Sequence, residues 1–160
     1  MILEWYFGFH PPAGLTELRA GASFRAIFGH VEAWGYTADR TWMFFDPRGA
    51  GTRIRITHHM EEVEETMARR FATCQTILKI APTGREYRLP LFPPMNCATQ
   101  CAHLVGLRAF TPAGLRRTLL ANGAELIYGT EGRPRSEEGT REGAADGALR
   151  EPPGRPADGI

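Results

Sequence analysis

The sequence predicts an α+β domain in which helices pack on one mostly antiparallel sheet. Three observations lead there. Short apolar or alternating segments recur between residues 28 and 57, joined by turns too short for a crossover helix. A stretch from 59 to 71 lacks Gly and Pro and carries Met60, Val63, Met67 and Phe71 at spacings of three and four. Two more helix starts follow, after Asn96 and after Thr111. The order strands, helix, strands, two helices suits segregated layers rather than an alternating parallel fold.

The elements follow in chain order. Trp5, Tyr6 and Phe7 form an aromatic opening, ended by Pro11, Pro12 and Gly14, and read as core or interface residues. Leu15 to Ala20 suits a short helix. Phe28 to Tyr36 reads as a strand, with Val31 and Ala33 on one face and His30, Glu32 and Trp34 on the other. Thr37 to Arg40 is a turn, and Thr41 to Phe45 returns as the second arm of a hairpin. Asp46-Pro47 should end that arm, because proline cannot donate to a ladder. Arg48 to Gly51 turns again, and Thr52 to Thr57 alternates as a third strand.

After the helix at 59–71, Thr73 to Ile80 and Tyr87 to Phe92 suit strands. Pro90 confines the second of these to an edge, and Pro93-Pro94 closes the region. Cys97 to Leu107 reads as a helix capped by Asn96. Pro112 to Asn122 reads as another, with Thr111 as cap, Pro112 at the first position and Gly123 as stop. Ala124 to Tyr128 makes a last strand.

The chain has 160 residues, of which 42% are hydrophobic, enough for one domain with a core. That domain is expected to span 1–130. Residues 131–160 contain no aromatic residue and only Leu149 and Ile160 as large aliphatics. Such a segment buries too little to offset its ordering entropy, so a disordered C-terminal tail is expected. The formal net charge of +1 gives no strong field toward nucleic acid or an anionic membrane. No run approaches the roughly 20 apolar residues that span a bilayer. The opening, Met1 to Phe7, has no basic segment ahead of an apolar stretch. No signal peptide is therefore expected, and a cytoplasmic location is the default. Three cysteines, Cys74, Cys97 and Cys101, do not make a disulfide framework.

The most informative segment is Met95-Asn96-Cys97-Ala98-Thr99-Gln100-Cys101. Asn96 as cap puts Cys97 in the first helical turn. Free N–H groups and the positive end of the helix dipole there favour thiolate over thiol. The same groups suit an oxyanion. Against this stands the plainer reading of Cys97 as a small buried residue. Cys101 and Cys74 read as core. A nucleophilic cysteine needs a base, and His30, opening its strand after Gly29, is the best placed. Asp46 lies roughly across the hairpin from His30 and would orient the ring. Glu32, two residues along the same strand face, is the alternative. Asp46 also reads simply as a turn former before Pro47.

These pieces resemble the circularly permuted branch of the NlpC-like, papain-fold hydrolases, including the lecithin retinol acyltransferase type. The resemblance lies in Gly29-His30-Val31, the strand Thr41 to Phe45 with Asp46-Pro47, and Asn96-Cys97 opening an apolar helix. The chain is also similar to small phage and prophage proteins through Leu104-Val105-Gly106-Leu107-Arg108 and Thr111-Pro112-Ala113-Gly114-Leu115. The resemblance covers roughly residues 24 to 122. It implies a papain-like fold, with Cys97 as nucleophile and His30 as base. Relatives of the acyltransferase type often carry a second histidine on the partner strand, and residues 41–47 hold none. Asp46 therefore stands in by geometry, not by motif.

Rival constellations are weaker. His58 and Glu62 share a helix face but lack the second histidine of a zinc helix. Cys97 and Cys101 align, but His103 lies around the helix and a fourth ligand is not evident. Arg108, Arg116 and Arg117 lack interleaved aromatics for nucleic acid. No phosphate loop or dinucleotide fingerprint occurs. The expectation is a cysteine peptidase or amidase that needs no metal or cofactor. It would act on a peptide or acyl substrate, of cell-wall or virion origin, with a phage or host protein as partner and a virion-associated location as a variant. The competing expectation is an inactive phage structural or assembly protein that keeps the fold.

Overall fold

The computed structural model describes residues 1–14, 19, 28–48, 51–85 and 96–129. The chain is α+β. Its elements are β1 (Ile2–His10), β2 (His30–Thr37), β3 (Trp42–Arg48), β4 (Gly51–Thr57), α1 (Met60–Thr73), β5 (Thr76–Ile80), α2 (Cys97–His103), α3 (Pro112–Ala121) and β6 (Glu125–Tyr128). The strands form one sheet in the order β4-β3-β2-β1-β5-β6, with every neighbouring pair antiparallel.

The opening segment is a strand in the middle of this sheet, not merely an aromatic start. β1 pairs with β2 on one side and β5 on the other. Both of its faces are covered, so Ile2 to His10 shows a near-continuous apolar run instead of an alternation. Trp5, Phe7 and Phe9 point to one face, where they pack with Val31, Ala33 and Leu78 beneath α2 and α3. The opposite face holds Trp34, Phe44 and Ile77 under α1. Val63 is buried there, with Met67 and Phe71 packed beside it. The predicted stripe fails at Met60, which is 46% exposed. Thr66 is buried in that layer and accepts from Arg55 of β4.

Some boundaries differ from the sequence reading. β3 runs through Asp46-Pro47 to Arg48. Its pairing with β2 extends only to Ala33↔Phe45, whereas Pro47 pairs onward with Thr52 of β4. Pro47 thus has a strand on one side only, where its missing N–H costs no ladder bond. α1 extends to Thr73, and Cys74 is its C-cap instead of a strand residue. α2 ends at His103 instead of Leu107. Gly106, at φ 65°, takes the left-handed conformation, and Leu107 N–H closes back to the Ala102 carbonyl at 3.0 Å. The Asn96 and Thr111 caps form as expected, accepting from Thr99 N–H and Gly114 N–H. The expected strand Tyr87 to Phe92, the tail 131–160, and all of Leu15 to Ala20 except Arg19 lie outside the described residues. Among the described residues, no helix is long and apolar enough to cross a membrane.

Candidate functional site

The structure brings His30, Asp46 and Cys97 together at one end of the sheet. His30 is the first residue of β2. Gly29 before it sits at φ +75°, and a Cβ there would lie 3.0 Å from the His10 carbonyl oxygen. Glycine at 29 therefore admits the close approach of β1. His30 Nε2 lies 2.9 Å from Asp46 Oδ1. Asp46 Oδ2 accepts from Arg48 Nε at 2.6 Å. Asp46 is buried and His30 about one-third exposed, so the imidazole links a buried carboxylate to an open rim.

Cys97 arrives from the other layer. It opens α2, which packs on the β2–β3 face, and its thiol lies near enough to the His30 imidazole for the two to shift each other's titration. Cys97 is half-buried, whereas Cys101, one turn on, is fully buried with its thiol toward the Val31 carbonyl.

The electrostatics follow from these contacts. Burial pushes the Cys97 thiol up, but His30 and backbone groups of Val31 and Ala98 outweigh it, and the thiol sits below its ordinary value. Burial likewise disfavours a charged His30, yet Asp46 and Cys97 raise its pKa to about 9. Asp46 is raised by burial and lowered by His30 and Arg48, which hold it at about 2. The shifts favour thiolate at Cys97 and imidazolium at His30, with the Asp46 carboxylate behind the ring. Cys101 moves the opposite way, because burial pushes its thiol well up.

Glu32, the alternative partner for His30, faces elsewhere. Its Oε1 lies 3.0 Å from His10 Nε2, and its Oε2 accepts from Arg70 Nη2 at 2.5 Å. His10 Nε2 also lies 3.7 Å from Cys74 Sγ. A second cysteine, histidine and carboxylate thus meet beside the first set, with the His10 and His30 ring centroids 5.5 Å apart. Pairing with Cys74 and then Glu32 raises the His10 pKa to about 10, against the effect of burial. The sequence reading missed this cluster. Its available signal was the pairing of β1 with β2, which sets His10 directly opposite His30. Among the described residues, His10, Glu32 and Cys74 are the group of three His, Cys or carboxylate ligands within 4.8 Å of one another, and neither the His58–Glu62 pair nor Cys97, Cys101 and His103 makes one. No protein-family model, curated protein or solved structure gives a significant match to this chain.

Proposed function

We propose that the chain is a cysteine hydrolase of papain-like, permuted topology, acting on an amide or related acyl bond. The observation that carries this reading is His30 held 2.9 Å from the Asp46 carboxylate and coupled to the Cys97 thiol, whose pKa it lowers. The order of elements supports it too: a histidine-bearing strand, its hairpin partner, then a helix that opens on cysteine.

In the proposed reaction the Cys97 thiolate attacks the carbonyl carbon and forms a C–S bond. The carbonyl electron pair moves onto oxygen, toward the backbone N–H of Cys97. Collapse of that intermediate breaks the C–N bond, and His30 gives its proton to the departing amine. Neutral His30 then takes a proton from water, which attacks the thioester and releases the carboxylic acid and the thiolate. Asp46 keeps the ring oriented and offsets its charge throughout. Transfer to another acceptor would use the same residues, with that acceptor in place of water. The phage-like resemblance points to cell-wall peptides or virion proteins as substrates, and to a phage setting.

The test is turnover of a panel of peptide amides and cell-wall peptide fragments, with intact-mass detection of the acyl adduct. The expected result is an adduct on Cys97 and turnover that Cys97→Ala abolishes. His30→Ala should lower the rate by about 10²–10⁴-fold. Turnover that survives Cys97→Ala would overturn the reading, and no turnover or adduct in the parent would favour a fold kept for assembly alone.

A further inference from the structure

We propose that His10 Nε2, Glu32 Oε1 and Cys74 Sγ form a binding site for one zinc-like divalent cation, next to the Cys97 site but independent of it. The three donors come from three elements: the last residue of β1, the third residue of β2 and the C-cap of α1. They lie within 4.8 Å of one another. A tetrahedral zinc with bonds of about 2.0–2.3 Å sets neighbouring donors about 3.3–3.6 Å apart. The nitrogen–oxygen and sulfur–nitrogen separations here are 3.0 and 3.7 Å. Small side-chain adjustments would close the set around an ion.

The chemistry of the donors selects the class of ion. One imidazole, one thiolate and one carboxylate suit zinc better than the oxygen-seeking magnesium or calcium. Three protein ligands leave a fourth position for water or a ligand atom, the pattern of reactive rather than purely structural zinc sites. His10 is 24% exposed at its side chain while the carboxylate and thiol are buried, so the ion would enter past the imidazole.

The surroundings also fit. Arg70 holds the other oxygen of Glu32 and leaves Oε1 turned to the site, as an outer partner orients a metal-binding carboxylate. Its guanidinium is stacked over Trp34 and Phe44, 5.2 and 4.7 Å from the ring centroids, which keeps it off the ligand position. Its positive charge reduces the affinity such a ligand set would otherwise have. Gly8 makes the seat for the thiol: a Cβ there would lie 2.6 Å from Cys74 Sγ. None of these residues belongs to the Cys97–His30–Asp46 set.

The experiment is titration of the full chain, stripped of metal, with cobalt(II) and then zinc(II). The Cys97→Ser variant is the principal sample, because its two remaining thiols are Cys74 and the fully buried Cys101. The expected result is one equivalent of cobalt bound, with a thiolate-to-cobalt charge-transfer band that zinc removes. The band should persist in Cys97→Ser and vanish in Cys74→Ser and in His10→Ala. If Cys74→Ser or His10→Ala fails to fold, the band in Cys97→Ser still decides. No stoichiometric uptake in Cys97→Ser, or a band present in the parent and absent from Cys97→Ser, would overturn the proposal. The second outcome would place the ion at Cys97, a different finding from loss of hydrolysis.

Discussion

Replacing Asp46 by Asn keeps the side-chain shape and removes the charge that His30 and Arg48 share. A carboxyl held at about 2 in place of 3.8 corresponds to about 2.4 kcal/mol of native-state stabilisation at neutral pH. Arg48 is 58% exposed at its side chain, and solvent screens its share, so the expected loss is about 1–2 kcal/mol. The sign fixes the pH window. The folded-state pKa is depressed, so the stabilisation is complete above about 3.8. It fades as pH falls through about 2. Urea unfolding at neutral pH should show Asp46→Asn below the parent by that amount, with the gap shrinking in acid. The same variant should slow Cys97 alkylation, because a neutral amide no longer favours the imidazolium. Equal stability at neutral pH together with equal Cys97 reactivity would refute the coupling of Asp46 to the thiol through His30.

Other expectations follow from single contacts. Arg70→Leu leaves the buried Glu32 carboxylate with His10 as its remaining partner and should cost up to about 3 kcal/mol in urea unfolding. Adding Glu32→Gln to that variant should recover part of the loss, and no recovery would mean that stacking on Trp34 and Phe44 dominates. Gly8→Ala would press a methyl to 2.8 Å from Trp34 and closer still to the Cys74 sulfur. It should cost about 1–3 kcal/mol, measured by thermal unfolding. Asn96→Ala removes the cap of α2 and the donor to the Phe110 carbonyl, with an expected loss of about 1 kcal/mol or more. An unchanged Tm would show that packing alone places Cys97.

The sequence makes local features legible and hides long-range ones. Asn96-Cys97 could be read because a cap and the residue after it are set within one turn. His30 and Asp46 could be related because a short hairpin brings 30 and 46 to one end of the sheet. Glu32 illustrates the limit. Face and strand were readable, but its partners were not, since His10 lies 22 residues back and Arg70 lies 38 ahead. Both depend on β1 entering between β2 and β5 and on α1 covering that face. β1 itself gave no periodic signal, because a strand buried on both faces has no polar side to alternate with. Cys74 was readable as buried, but its contact with His10, 64 residues away, required the assembled sheet.

The most direct test of the Cys97–His30 pairing is the rate of Cys97 alkylation against pH, mapped by peptide mass, in the parent and in His30→Ala. His30 holds the thiol below its ordinary value, so the parent rate should level off at a lower pH than that of His30→Ala. His30→Ala should shift the rise upward toward the free-cysteine value of about 8.5 or above. Parent and variant curves that coincide, both rising only near that value, would contradict an activated Cys97.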